Sequence, residues 1–149
     1  RAIKLNPNCK LTLVLMQVND MEDYMKNEGS GFVQDLLQSV QDTVRRHVGH
    51  RGIVCPLEPN LMSVVVQDIN SDIKLRAFIE SLRSRIAWNY RLIDPKYEIS
   101  FSFGVACYPE NGMDMRIVHR KLVKALQMAQ EKHANCYVIY KEHLHGELS

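Results

Sequence analysis

The chain has 149 residues, 46% of them hydrophobic, which suits one globular core, since single domains cluster at roughly 100 to 150 residues. Nineteen basic against 17 acidic side chains leave a net charge of +2, a balance that argues against nucleic acid or an anionic membrane as the main partner. No apolar run reaches the roughly 18 residues that a membrane span needs, and Cys9, Cys55, Cys107 and Cys136 lack zinc-ligand spacing, so neither membrane contact by this domain nor a metal framework is expected.

In chain order, Asn6-Pro7-Asn8 signals a turn, and Lys10 to Val18 is a Leu/Val-rich run that predicts a central strand. Asp20 to Lys26 predicts a short helix, broken at Gly29-Ser30-Gly31. Ser30 is expected to cap a longer helix burying Phe32, Val33, Leu36, Leu37, Val40 and Val44. Gly52 to Cys55 and Leu61 to Val66 read as a hairpin, with Pro56 and Pro59 placed in its loop because neither can donate a ladder hydrogen bond. Asn70-Ser71-Asp72 supplies caps for a helix that turns Leu75, Phe78, Ile79, Leu82 and Ile86 inward and ends near Asp94-Pro95; Trp88 and Tyr90 near its end are expected to anchor packing.

Ile99, Phe101, Phe103 and Val105 alternate with Ser100, Ser102, Gly104 and Ala106, a period of two that predicts a strand with large side chains on one face. A helix over about Met115 to Lys132 is expected to bury Ile117, Val118, Leu122, Ala125, Leu126 and Ala129, and Cys136 to Tyr140 closes with a strand. Cys55, Cys107 and Cys136, in or beside strands, read as reduced, buried hydrophobes. The order β, α, α, β, β, α, β, α, β implies an α+β fold with a mixed sheet and helices packed on its faces.

Phe103-Gly-Val-Ala-Cys-Tyr-Pro-Glu-Asn-Gly112 and the helix from Lys124 to Gln130 through Asn135 carry a family resemblance. They are similar to the S-I-G-V-A-x-Y-P-x-D-G strand and the A-D-x-A-L-Y-x-A-K-x-x-G-R-N helix of GGDEF domains of diguanylate cyclases, and the resemblance covers residues 9 to 141. It implies a nucleotidyl-cyclase-like mixed central sheet of about five strands flanked by helices. Residues 1–149 then form one domain, with 141–149 a linker to a following domain.

The same resemblance places replacements at the family's active positions. Gln17 and Asn19 stand where D-x-D begins with a Mg²⁺-binding Asp, and a neutral amide is a weak ligand for a hard cation. Met25 and Gln34 stand where an Asn and an Asp hold guanine. Glu58-Pro59-Asn60 falls on G-G-D/E, where Pro59 adds a ring against the phosphates and Asn60 removes a carboxylate. Gln130 and Ala134 replace the lysine and arginine that hold phosphates, and the product-inhibition motif R-x-x-D falls on Gly49 and Gly52, with Arg51 nearby.

These replacements imply a catalytically inactive regulatory domain of a bacterial cyclic di-GMP signalling protein, with no cofactor and no catalytic residues. The partners left open are neighbouring domains of the same chain, an EAL phosphodiesterase domain among them, a second copy in a homodimer, and weakly held GTP. Two alternatives stand beside this reading: the ligand or assembly domain of a multidomain transcription regulator, and a GTP-binding allosteric module without turnover. A cytoplasmic setting is expected, in a parent protein that is membrane-anchored or free, and the start at Arg1 rather than Met suggests a piece of a longer chain. The basic groups Arg45, Arg46, His47, His50 and Arg51, and Arg116, His119, Arg120, Lys121 and Lys124, read as solvated faces, the first an anion site and the second an interface with an acidic neighbour in their sharper versions.

Overall fold

A computed structural model describes residues 10–67, 69, 71–93, 99–132 and 136–146. The expectations for Asn6-Pro7-Asn8, Cys9, Asn70, Asp94-Pro95, Ala134 and Asn135, and for the Tyr90 side chain, lie outside the described residues. The elements are β1 (Leu11–Val18), α1 (Met21–Glu28), α2 (Ser30–Val48), a 3₁₀ turn (Gly49–Arg51), β2 (Gly52–Glu58), β3 (Leu61–Gln67), α3 (Asp72–Ile93), β4 (Phe101–Tyr108), α4 (Met115–Glu131), β5 (Cys136–Ile139) and α5 (Glu142–His145). They form a five-stranded sheet in the order β2-β3-β1-β4-β5, antiparallel except for the β4–β5 pair.

β1 lies at the centre because both of its faces are apolar. Val14, Met16 and Val18 join Val64, Val66, Phe101, Phe103 and the inner faces of α2 and α3 in one core. Leu11, Leu13 and Leu15 join Ala106, Val138 and the inner face of α4 in the other. The result is three layers, with two helices on one face of the sheet and one on the other. Each helix hides its own apolar stripe: Val33, Leu36, Leu37, Val40 and Val44 on α2, and Leu75, Phe78, Ile79, Leu82 and Ile86 on α3.

The alternation along β4 has a steric cause. A Cβ added at Gly104 would lie 2.3 Å from the Leu126 nitrogen and 2.7 Å from the Leu122 carbonyl oxygen, so the backbone of α4 occupies the space of a side chain. Bulky Phe101, Phe103 and Val105 face the thicker two-helix layer instead.

Several expectations are corrected. Pro56 lies within β2 opposite Met62, not in the loop, because β2 is an edge strand, where a residue lacking an N–H is tolerated; the ladder shifts register just after it. The same edge position leaves Cys55 exposed and Ile53 70% exposed, so Cys55 is no buried hydrophobe. Ser30 is the first residue of α2, and the cap is Gly29, whose φ of 88° suits a residue without Cβ. Ile117 is 39% exposed and Phe32 only half-buried, both at the margins of their stripes. Trp88 is 64% exposed and anchors no core. Ser71 does cap α3, its Oγ accepting from the Lys74 N–H at 3.2 Å.

Two outcomes follow from this packing. Gly104→Ala should destabilise the domain by about 3 kcal/mol, as overpacking against backbone that cannot move aside does, read as a lower urea midpoint; an unchanged midpoint would mean that α4 does not approach so closely. The second concerns His47, whose pKa is held below the ordinary histidine value first by burial and further by Arg51 and Arg85. As pH falls through about 6.5 the unfolded chain takes up this proton before the folded one does, so the folded state loses stability until its own pKa is passed. The fall in Tm below neutral pH should therefore be shallower in His47→Gln than in the parent protein, and parallel curves would refute it.

Candidate functional site

The C-terminal end of β1 gathers the polar residues of the fold. Asp20 follows it in the left-handed conformation (φ 64°), a geometry that a short polar residue tolerates, and this reversal starts α1 one residue later. The hairpin tip reaches the same place. The Val18 N–H donates to the Asn60 carbonyl at 2.9 Å, and Asn60 Nδ2 donates to the Val18 carbonyl at 3.2 Å.

Asn19 is tied to the next strand. Its N–H donates to the Ser100 carbonyl at 2.9 Å, and its Nδ2 lies 3.0 Å from both Ser100 Oγ and Ser102 Oγ. Gln17, flanked in the sheet by Leu61 and Ser102, accepts through Oε1 a hydrogen bond from Gln130 Nε2 at the end of α4. Gln17, Asn19 and Asn60, with Asp20, Glu22 and Asp23, line a cavity of about 330 Å³.

Of the positions that the resemblance singles out, the structure thus assembles Gln17, Asn19 and Asn60 around one cavity and joins Gln130 to them through Gln17. Met25 on α1 and Gln34 on α2 are exposed and line none of it, and Glu58 and Pro59 are exposed on the hairpin. Ser100 and Ser102, the partners of Asn19, were visible in the sequence only as small residues of an alternating strand. The turn at Asp20 was signalled by the Asn19-Asp20 pair, both residue types that favour turns.

Chemically, the cavity offers amides at its inner end and carboxylates at its rim. Among the described residues no group of three or more His, Cys, Asp or Glu is placed to hold a metal ion. Cys107 lies away from this cavity, and burial pushes its thiol pKa up, with Glu110 adding to the effect. That leaves it a poor nucleophile. No described helix is long and apolar enough to cross a membrane.

The fold is that of a GGDEF-type domain. The chain belongs to the GGDEF family: the model of the diguanylate cyclase GGDEF domain matches residues 2–136. Its fold is similar to that of the active GGEEF domain of a diguanylate cyclase from Vibrio cholerae, with a TM-score of 0.77 and 14% identity over 89% of this chain and 83% of that one. A diguanylate cyclase/phosphodiesterase from Caldicellulosiruptor saccharolyticus matches with a TM-score of 0.75 and 20% identity over 91% of this chain and 78% of that one. An uncharacterized protein of Synechocystis sp. is 18% identical over 142 residues, 95% of this chain but 20% of its own length, so this chain spans about a fifth of the curated relative it matches.

The hydrogen bonds of Asn19 make it a structural residue of this site. Asn19→Ala should cost about 1–2 kcal/mol, the usual range for leaving partly buried partners unsatisfied, measured by chemical unfolding. A loss below the error of the measurement would show that water replaces the amide at no cost.

Proposed function

We propose that this domain is a catalytically silent member of the GGDEF family with a regulatory role in cyclic di-GMP signalling. The observation that carries the reading is the Gln17–Gln130 pair. By resemblance to the family, Gln17 stands at a magnesium-binding Asp and Gln130 at a phosphate-binding Lys. Here the neutral Gln130 amide donates to the neutral Gln17 amide across the gap between β1 and α4.

Phosphoryl transfer rests on positioning and on neutralising the charge of the transferring group. An amide pair supplies neither a metal ligand of negative charge nor a cation for the triphosphate. Asn60, in place of a further carboxylate, is engaged with the Val18 carbonyl and holds the hairpin against β1. Met25 and Gln34, the positions proposed for guanine recognition, stand outside the cavity, which supports loss of base recognition as well.

A domain without turnover acts through contacts, with neighbouring domains of its own chain or with a second copy. The Caldicellulosiruptor protein, named a diguanylate cyclase/phosphodiesterase, supports a phosphodiesterase as one such neighbour. In that arrangement 141–149 leads from this domain to the next.

Calorimetry with GTP and Mg²⁺, beside chromatography of the products, tests the proposal. The expected result is no saturable heat up to about 1 mM GTP, an affinity weaker than roughly −4 kcal/mol, and no cyclic dinucleotide. Gln17→Asp combined with Gln130→Lys, which exchanges the amide pair for an ion pair, should tighten GTP·Mg²⁺ binding by about tenfold or more, because charge-assisted contacts are roughly twice as strong as neutral ones. Micromolar binding by the unaltered domain would turn the reading to a nucleotide sensor, and detected product would end it.

A further inference from the structure

On the other side of the molecule's chemistry, the junction of α2 and α3 holds two adjoining cavities of about 600 and 560 Å³ that meet at Ser81. Arg46, His50 and Arg51 line them from α2 and the turn after it, Lys74 and Arg85 from α3, and exposed Trp88 stands at one end. Among the described residues no carboxylate lines either cavity, and Arg46, Arg51, Lys74 and Arg85 make no ion pair. Elsewhere on the surface Arg83, Arg116, Lys121 and Lys141 each reach a carboxylate. Within this groove, therefore, the positive charge has no acidic counterpart among the described residues.

Its floor is built and closed. The His47 and Phe78 rings pack at 4.9 Å, the Arg51 guanidinium lies over Phe78 at 5.0 Å, and Asn89 Nδ2 donates to Thr43 Oγ1 at 3.0 Å across the two helices. Arg51 also donates to the His47 carbonyl at 2.6 Å, which caps α2 as the plainer reading of this basic cluster expects. His47 Nε2 is buried there without a hydrogen-bond partner.

Along α3 the groove residues Lys74, Phe78, Ser81, Arg85 and Trp88 recur at spacings of four, three, four and three. This is the seam that a neighbouring helix packs against, and at 1.5 Å per residue it extends about 21 Å. We propose that the groove docks an acidic amphipathic helix of a partner domain or protein. Its carboxylates meet Arg46, Lys74 and Arg85, while its apolar side chains rest against Trp88 at one end and half-buried Ile69 at the other. A small anion would occupy one end of such a seam; the spread of cations over its whole length, with an aromatic and an aliphatic contact, fits a helix. The inference is independent of whether the strand-end cavity is silent.

Trp88 is the chain's one tryptophan, so its emission reports on the groove directly. The probe is a synthetic helical peptide with Glu at i and i+4 and Leu along one face. It should shift Trp88 emission to the blue in a saturable, salt-sensitive titration, and the same peptide with Lys for Glu should not. Arg46→Glu combined with Arg85→Glu changes two exposed side chains, and circular dichroism checks that the fold persists. Affinity for the acidic peptide should fall about tenfold or more in this variant, the usual scale for reversing charges that face a partner. Absence of any shift up to millimolar peptide, or equal binding by the charge-reversed variant, overturns the proposal. So does a shift produced by inorganic pyrophosphate and not by the peptide, which would make the groove a small-phosphate site.

Discussion

The backbone of α4 lies against Gly104 with no room for a side chain between them, and this contact sets the geometry of one whole face of the sheet. Because the helix sits so low, Val118, Leu122, Ala125 and Ala129 reach Leu13, Leu15 and Ala106 without large side chains in between. Its end is carried down to the level of β1, where Gln130 meets Gln17. A larger residue at position 104 would lift the helix and part the two amides. Packing and site geometry are thus one constraint.

The opposite face follows a different rule. There α2 and α3 stand off the sheet at the distance that Phe101, Phe103, Met16 and Met62 impose, and the pair is joined to itself as well as to the strands. Two helices side by side leave a junction between them, and Arg46, Arg51, Lys74 and Arg85 line it with no carboxylate among the described residues. One face therefore brings Gln130 to Gln17, while the other leaves a charged groove open.

Much of this was legible in the chain because hydrophobic periodicity is local. The period of two along β4, the apolar stripes of α2, α3 and α4, and the double-sided apolar run of β1 each follow from adjacent residues alone. Pro56, Cys55 and Trp88 were misjudged for a common reason. Whether a strand is central or at an edge, and whether an aromatic at a helix end finds a neighbour, depend on elements distant in sequence. β2 carries the composition of an inner strand, and only its place at the margin of the sheet exposes Cys55 and lets Pro56 stand in the ladder.

By itself the sequence determined the order of elements, the faces they bury, the family, and the neutral residue types at Gln17, Asn19, Asn60 and Gln130. Tertiary structure decided what those amides do. Residues 113 positions apart become hydrogen-bonded partners, Asn19 is tied to Ser102 of β4 and to Ser100 just before it, and Asn60 is spent on holding the hairpin. It also decided that Arg46, Lys74, Arg85 and Trp88 share one groove without a carboxylate among the described residues. Residue identity states which charges and hydrogen bonds a chain offers, but electrostatic and hydrogen-bond energies fall steeply with distance, so which of them meet is settled only when the helices pack.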